Sequence, residues 1–544
     1  MVLRRRLDSE LQVTHVPPRV GVPSTDATRW SPYHASVDSP SRTDVRRATA
    51  LGALSAVPLL VWWAGWAPAI MSSDSIDQWN QALTFDFINT HPIVHTVFLW
   101  LASLVWASPA SVTLVHVVVT TVLLAVIARR LVQLGVGVRF AVGIVWIIAV
   151  LPMTGAVTVT LWKDVPFSLA MLWVVTELLL MARDRGAFWT GIWGPGRLGI
   201  ALGFMWALRE NGRLTAAVFA LALAFAFRPL WKGVATMLVG VAAVGVALPV
   251  VLIAVLPVTD APIEPAQVFM PDVASVVVND RGDLSSADLV LVTAVAPLRV
   301  FEDYYACGDS TPLLFHPEYD NQEIRDNASA YRGLILRTGV GSFPTVLGHR
   351  WCAAEYLFSP INRTDTFVHR PPFDIWPNTL GLARDPMSDR AFDVTFAMYK
   401  AAEQSEIEWL TWRPALVILM GLATAAGVWW RHSLRTLRWI GAFYVIHLVN
   451  VAVTSPAHEF RYAYGLYLIS LATLPLWILV IDPDRAVITA GVDEASSGVG
   501  RTPPGADEPA GDANREPQQP DGNHIRIPDQ VPTGDSVDRE ERDR

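Results

Sequence analysis

Lysine is nearly missing from this 544-residue chain: three occur, Lys163, Lys232 and Lys400, against thirty-nine arginines. With abundant alanine and valine, that bias points to a GC-rich bacterial genome. Charge of either sign is scarce, at 17% of residues against 52% hydrophobic ones, and mean hydropathy is +0.34. That balance excludes a soluble protein of this size. No basic stripe is present, which removes the electrostatic footprint of a nucleic-acid partner. The formal charge of −8 describes only the C-terminal tail, because residues 482–544 hold fifteen acids and seven arginines. A cleavable signal is also lacking, since the first apolar run starts late and runs long. No internal repeat is visible. Cysteine occurs twice, Cys307 and Cys352, both in one hydrophilic segment. On an oxidising side of a membrane the two could pair; two free buried thiols fit the spacing as well.

What the chain has is apolar residues in blocks. Ten blocks, at 51–70, 111–128, 140–158, 165–182, 198–208, 214–227, 234–257, 410–430, 439–453 and 462–481, read as spans. About 20 residues at 1.5 Å each cross a hydrocarbon core of about 30 Å, and the fifth and sixth blocks fall short of that. The expected fold is therefore an all-α polytopic membrane protein. Residues 1–47 read as a disordered cytoplasmic tail and 48–257 as a transmembrane module with an outer loop at 71–110. Residues 258–409 read as an extracytoplasmic domain of mixed structure, 410–482 as further spans, and 483–544 as a disordered acidic cytoplasmic tail.

The run 92–107 is apolar for sixteen residues and would serve as an eleventh span. Counting it reverses every later loop. Left out, it gives one set of short loops eleven arginines and lysines, and the opposite set only Lys163, Arg209, Arg213 and Arg461. Positive residues prefer the cytoplasm, so 92–107 reads as an interfacial or re-entrant helix on the outer side. Both termini are then cytoplasmic, in a bacterial plasma membrane.

On the outer side polar motifs gather. The loop after the first span carries Asp74, Asp77, Gln78, Trp79, His91 and His95; later loops carry Trp162-Lys163-Asp164, Arg209-Glu210-Asn211-Gly212-Arg213 and His458-Glu459-Phe460-Arg461-Tyr462. Asp74 and Asp77, three apart, share a face if the loop turns helical. An enzyme moving a sugar off a lipid phosphate needs a carboxylate to take the acceptor proton and cations to hold the phosphate. Asp74 or Asp77 suits the first task. Lys163, Arg209, Arg213 and Arg461 suit the second, and Asp164 could orient an acceptor, a metal or Lys163.

Plainer readings stand beside each of these. The loop could be merely solvated, Lys163-Asp164 a helix-end ion pair, and Asn211-Gly212 a chain reversal. His91 and His95 have the i, i+4 spacing of a zinc pair, but no third ligand is evident and interfacial packing suits them. The twenty-two tryptophans read first as interfacial anchors.

As a set, Asp74-Ser-Ile-Asp77-Gln-Trp, Asn89-Thr-His91-Pro92-Ile-Val-His95-Thr96, Trp162-Lys163-Asp164-Val-Pro-Phe and Leu208-Arg209-Glu210-Asn211-Gly212 resemble bacterial membrane glycosyltransferases of the GT-C superfamily. The likeness covers roughly 51–257 and returns weakly at 455–464. It implies a polyprenyl-phosphate-linked sugar as donor, an envelope glycan, lipid or protein as acceptor, and inversion at the anomeric carbon. It points to Asp74 as the catalytic carboxylate, with Asp77 as rival and Asp164 as a second acid. Gln78, Trp79, His91, His95, Asn211 and His458 are then acceptor-binding or structural. No Asp-x-Asp stands in the outer loop of Asp164, so a divalent metal is possible but not favoured, and no cofactor is certain. A transporter or flippase of lipid-linked saccharides is the alternative. It would spread polar groups through the bilayer, whereas here they cluster on one side.

Overall fold

The computed structural model describes residues 40–361, 368–431 and 435–482. Most of the N-terminal tail and the whole acidic C-terminal tail, both expected to be disordered, lie outside the described residues. Helix accounts for 74% of the structure and sheet for almost none. The first helix starts earlier than the expected tail boundary at 47. Ser41 Oγ accepts a bond from the Asp44 backbone N–H at 3.0 Å and so caps α1 (Arg42–Ala53), which continues into α2 (Ala56–Gly65).

After it come α3 (Ser73–Thr84), α4 (Ile93–Val105), α5 (Pro109–Gln133), α6 (Val138–Val150), α7 (Pro152–Thr158), α8 (Asp164–Asp184) and α9 (Gly186–Thr190). The module closes with α10 (Trp193–Leu208), α11 (Glu210–Ala226), α12 (Trp231–Val241) and α13 (Leu248–Val255). Among the described residues, five stretches are long and apolar enough to cross a membrane: Arg42–Gly65, Pro109–Gln133, Asp164–Asp184, Arg228–Val255 and Phe460–Ile481. The pair α6–α7, bent by 61°, makes a sixth if counted as one span. α4, at 13 residues, extends only about 20 Å.

Between α10 and α11 the chain reverses at Arg209, whose backbone is extended (φ −157°, ψ 140°). Asn211 and Gly212, which the plainer reading made the reversal, lie inside α11 instead. Gly212 is needed there for another reason: a Cβ on it would come within 2.2 Å of the Met205 carbonyl oxygen. Close approach of small residues also joins α10 to α12, where a Cβ on Gly199 would meet the Met237 carbonyl oxygen at 2.1 Å.

The 258–409 segment is helical rather than mixed. It contains α14 (Pro265–Asn279), α15 (Ser286–Val295), α16 (Leu298–Tyr304), α17 (Thr311–Leu314), α18 (Asn321–Asp326), α19 (Ala328–Gly341), α20 (Phe343–Ala353), α21 (Glu355–Phe358) and α22 (Asp389–Ala402). Its short apolar runs are started by helix signals. Capping boxes open α14 (Glu264 with Gln267) and α15 (Ser285 with Asp288), and prolines sit in the first turns of α14, α17 and α20. The segment buries its own core around Met270, Val273, Val277, Phe301, Ile324 and Leu334. Cys307 and Cys352 are bonded across it, with Cα atoms 5.8 Å apart. The chain then returns through α23 (Ala415–Trp430), α24 (Arg438–Thr454), α25 (Phe460–Thr473) and α26 (Trp477–Ile481).

Short extended pairings gather distant loops at one end of the helices. Ile70 N–H donates to the Val159 carbonyl at 2.9 Å, and Leu161 N–H donates back to Ile70 at 3.0 Å. Trp376 N–H donates to Met71 at 3.0 Å. β1 (Phe87–Ile88) pairs in parallel with β2 (Val258–Thr259), and Phe460 N–H reaches the His369 carbonyl at 2.8 Å. The first loop, the start of α8, the insert and the start of α25 are therefore laced together by backbone bonds.

Candidate functional site

Asp74 stands in the first turn of α3, where its anionic side chain complements the helix N-terminus. Arg461 Nη1 donates to Asp74 Oδ2 at 3.3 Å, and the same guanidinium is paired with Glu459 and lies 5.2 Å from the Trp162 ring. Trp162 is fixed in turn, its Nε1–H donating to Ser72 Oγ at 2.9 Å. Lys163 Nζ donates to His91 Nδ1 at 3.1 Å and lies 3.8 Å from Glu210 Oε2. An ammonium only donates, so Nδ1 of His91 accepts and the ring's proton sits on Nε2.

Charge sets the titration of these groups. Burial alone would raise the pKa of Asp74, but Arg461, His91 and Lys163 outweigh it and hold the carboxyl below its ordinary value. Burial, then the Lys163 ammonium, push His91 down against the opposing pull of Asp74, so it is neutral near pH 7. At Glu210 the penalty of burial is again overcome, chiefly by Lys163, and its pKa falls.

Beside this layer lies a buried ion pair. Arg209 Nη1 is 2.5 Å from Asp164 Oδ1, with side-chain exposures of 8% and 2%, and the guanidinium rests 4.8 Å from the Tyr462 ring. Such a pair is too desolvated to exchange partners freely. Arg213 is exposed one turn along α11, and the Asn211 carbonyl accepts from Asn450 Nδ2 at 2.5 Å.

The remaining expected residues stand elsewhere. Asp77 is exposed and accepts from Gln81 Nε2 at 2.7 Å. Gln78 is buried and donates to Thr96 Oγ1 at 3.3 Å; Trp79 is buried in the apolar cluster between α3 and α4 with Met71, Leu99 and Leu161. His91 and His95 do not form a ligand pair. Pro92 caps α4, so His91 precedes the helix and faces Lys163, while His95 is fully buried and neither ring nitrogen has a hydrogen-bond partner among the described residues. Among the described residues, no three His, Cys, Asp or Glu side chains are grouped to hold a metal ion. His458 is buried too, with Nε2 2.8 Å from the Cys352 carbonyl oxygen.

Sequence reasoning passed over Glu210, Glu459 and Tyr462 as site residues, although each sits inside a motif it singled out. It missed Asp309 and His369 altogether. Their side chains meet at 3.0 Å next to the 456–460 segment, and neither belongs to a polar cluster in sequence. Chemically, the arrangement offers the Asp74 carboxylate beside two cations, each also paired with a glutamate, Arg461 with Glu459 and Lys163 with Glu210, at a surface open enough that the Asp74 side chain is 41% exposed. No family model, curated protein or solved structure matches this chain.

Proposed function

We propose that this protein is a membrane glycosyltransferase of GT-C type. It has ten spans, cytoplasmic termini and an extracytoplasmic site, and it transfers a sugar from a polyprenyl-phosphate donor to a cell-envelope glycan, lipid or protein. The observation that carries this reading is the pairing of Asp74 with Arg461, 387 positions away, with the Lys163–His91 pair close enough to lower the Asp74 pKa.

In the proposed reaction an acceptor hydroxyl attacks the anomeric carbon while the bond from that carbon to the phosphate oxygen breaks. The configuration inverts. The hydroxyl proton passes to Asp74, and polyprenyl phosphate leaves with the bonding pair, its charge met by Lys163 and Arg461. A depressed pKa keeps Asp74 ionised but makes it a weak base, which suits proton transfer late in bond formation. Lys163 is the more available cation, because its contact with Glu210 is long, at 3.8 Å. Arg209, already held by Asp164, positions the α10–α11 reversal in this scheme and does not itself bind the phosphate. Membranes carrying the wild-type protein and Asp74→Asn, supplied with polyprenyl-phosphate sugars, test the reading. Transfer by the first alone supports it, and equal transfer by both moves the base elsewhere.

One observation favours the alternative of a lipid-linked saccharide flippase. The polar groups continue inward from Arg209, where Thr215 Oγ1 lies 3.0 Å from His447 Nδ1 and accepts from Asn450 Nδ2 at 2.9 Å. A flippase would use such a line as part of a path.

A further inference from the structure

The insert carries a surface that the proposed chemistry does not use. Leu336, Val340, Phe343, Leu347 and Trp351 follow one another at intervals of four, three, four and four residues along α19 and α20, and each is between 54% and 82% exposed. The exposed positions of α20 are Phe343, Pro344, Leu347, Gly348 and Trp351, none of them charged. The other face of the same helices is already committed: Tyr331, Leu334, Thr338, His349 and Ala353 are buried. Arg350 turns inward as well, with Nε and Nη2 each 2.7 Å from an Asp272 oxygen. Single exposed apolar side chains are ordinary on any protein, but a continuous row marks something that covers it.

What covers it follows from where the row lies. α20 packs against α24, and the Tyr356 hydroxyl lies 3.2 Å from Ser455 Oγ at the C-terminal cap of α24. α24 is apolar and shows its own exposed row, Val445, Val449 and Val453, climbing toward that same end. The apolar row of the insert thus belongs to a helix packed against one that is read as spanning. Ser455 lies close before Glu459 and Arg461, so this is also the end of the helices that carries Asp74. On α19 the exposed arginines Arg332 and Arg337 stand beside the row, which suits a position at headgroup level rather than deeper.

We infer that α19 and α20 lie at the boundary between headgroups and acyl chains, in the leaflet on the Asp74 side. The occupant of the surface is phospholipid, with Trp351 at the level where tryptophan is favoured. The insert is thereby anchored to the bilayer independently of its chain connections, and this does not depend on the sugar-transfer reading. The test uses the full chain in vesicles of phosphatidylcholine and phosphatidylglycerol, with nitroxide labels on Val340→Cys, Leu347→Cys and, as a water-facing reference, Asp303→Cys. The native cysteines are bonded to each other and take no label. Oxygen concentrates in the bilayer and a nickel chelate in water. Relaxation by oxygen should exceed that by nickel several-fold at 340 and 347, and the order should reverse at 303. Nickel dominating at all three would put the row in water, and shielding of 340 and 347 from both would show a protein cover, either a second copy or another partner. Each of these results overturns the inference.

Discussion

Arg461 and Asp74 are joined at 3.3 Å although 387 residues separate them in the chain. The contact ties the start of α25 to the start of α3, and with His91 and Lys163 it holds the Asp74 pKa down.

The acid limb of transfer should report this arrangement. Asp74 has a depressed pKa, so its favourable ionised state is complete above the carboxyl's unfolded value and is lost as pH falls through the lower folded one. Activity should therefore persist into mildly acidic solution. Lys163→Met removes one of the cations holding that pKa down and should move the acid limb to higher pH. An unmoved limb in the pH profile would detach Asp74 from the rate.

Loss of Asp74 itself should be severe. A positioned general base contributes about 10²–10⁴-fold, so Asp74→Asn should lower turnover by that order while expression and membrane insertion are retained. Asp77→Asn, altering an exposed carboxylate that accepts from its neighbour Gln81, should leave turnover within a few-fold.

Arg209 and Asp164 should behave as a stability element. Truncating one partner of a buried pair leaves the other charge stranded, at a cost of about 3–5 kcal/mol. Arg209→Ala should melt well below the wild type in detergent, whereas Lys163→Ala should melt nearly with it and raise the donor KM. The reverse pattern would return the phosphate to Arg209.

The disulfide closes a separation of 45 residues, which by loop entropy amounts to about 4 kcal/mol against unfolding of the insert. Cys307→Ser with Cys352→Ser should make the insert sensitive to protease at temperatures where the wild type resists it.

Orientation can be read by labelling. Ser73 is exposed beside Asp74, so a thiol at Ser73→Cys should react with an impermeant reagent from outside intact cells. Labelling only after permeabilisation would invert the topology. Gln78, although in the same motif, is buried and unsuited to this experiment.

That Asp74 and Arg461 would lie at the same end of the helices was legible in the sequence because apolar blocks restrict the loops to two ends, and the structure joins the pair at 3.3 Å. What the blocks could not convey was depth. Trp79 and Gln78 belong to the same polar-looking stretch as Asp74, yet the packing of α3 on α4 turns them inward. The zinc spacing of His91 and His95 presumed a helix through both, and Pro92 starts that helix one residue too late. The insert looked mixed because its apolar runs are short. Its caps and first-turn prolines, which argue for helix, are visible only when each boundary is read by itself. The Asp309–His369 contact left no trace, since it depends on how the insert folds back onto the 456–460 segment.

The central claim is that the Asp74 site moves a sugar, and lipid and glycan profiling of a deletion strain tests it most directly. The account predicts that one sugar decoration of the envelope disappears, and that the wild-type gene restores it while Asp74→Asn does not. An unchanged envelope, or undecorated lipid carrier accumulating on one leaflet, would contradict it.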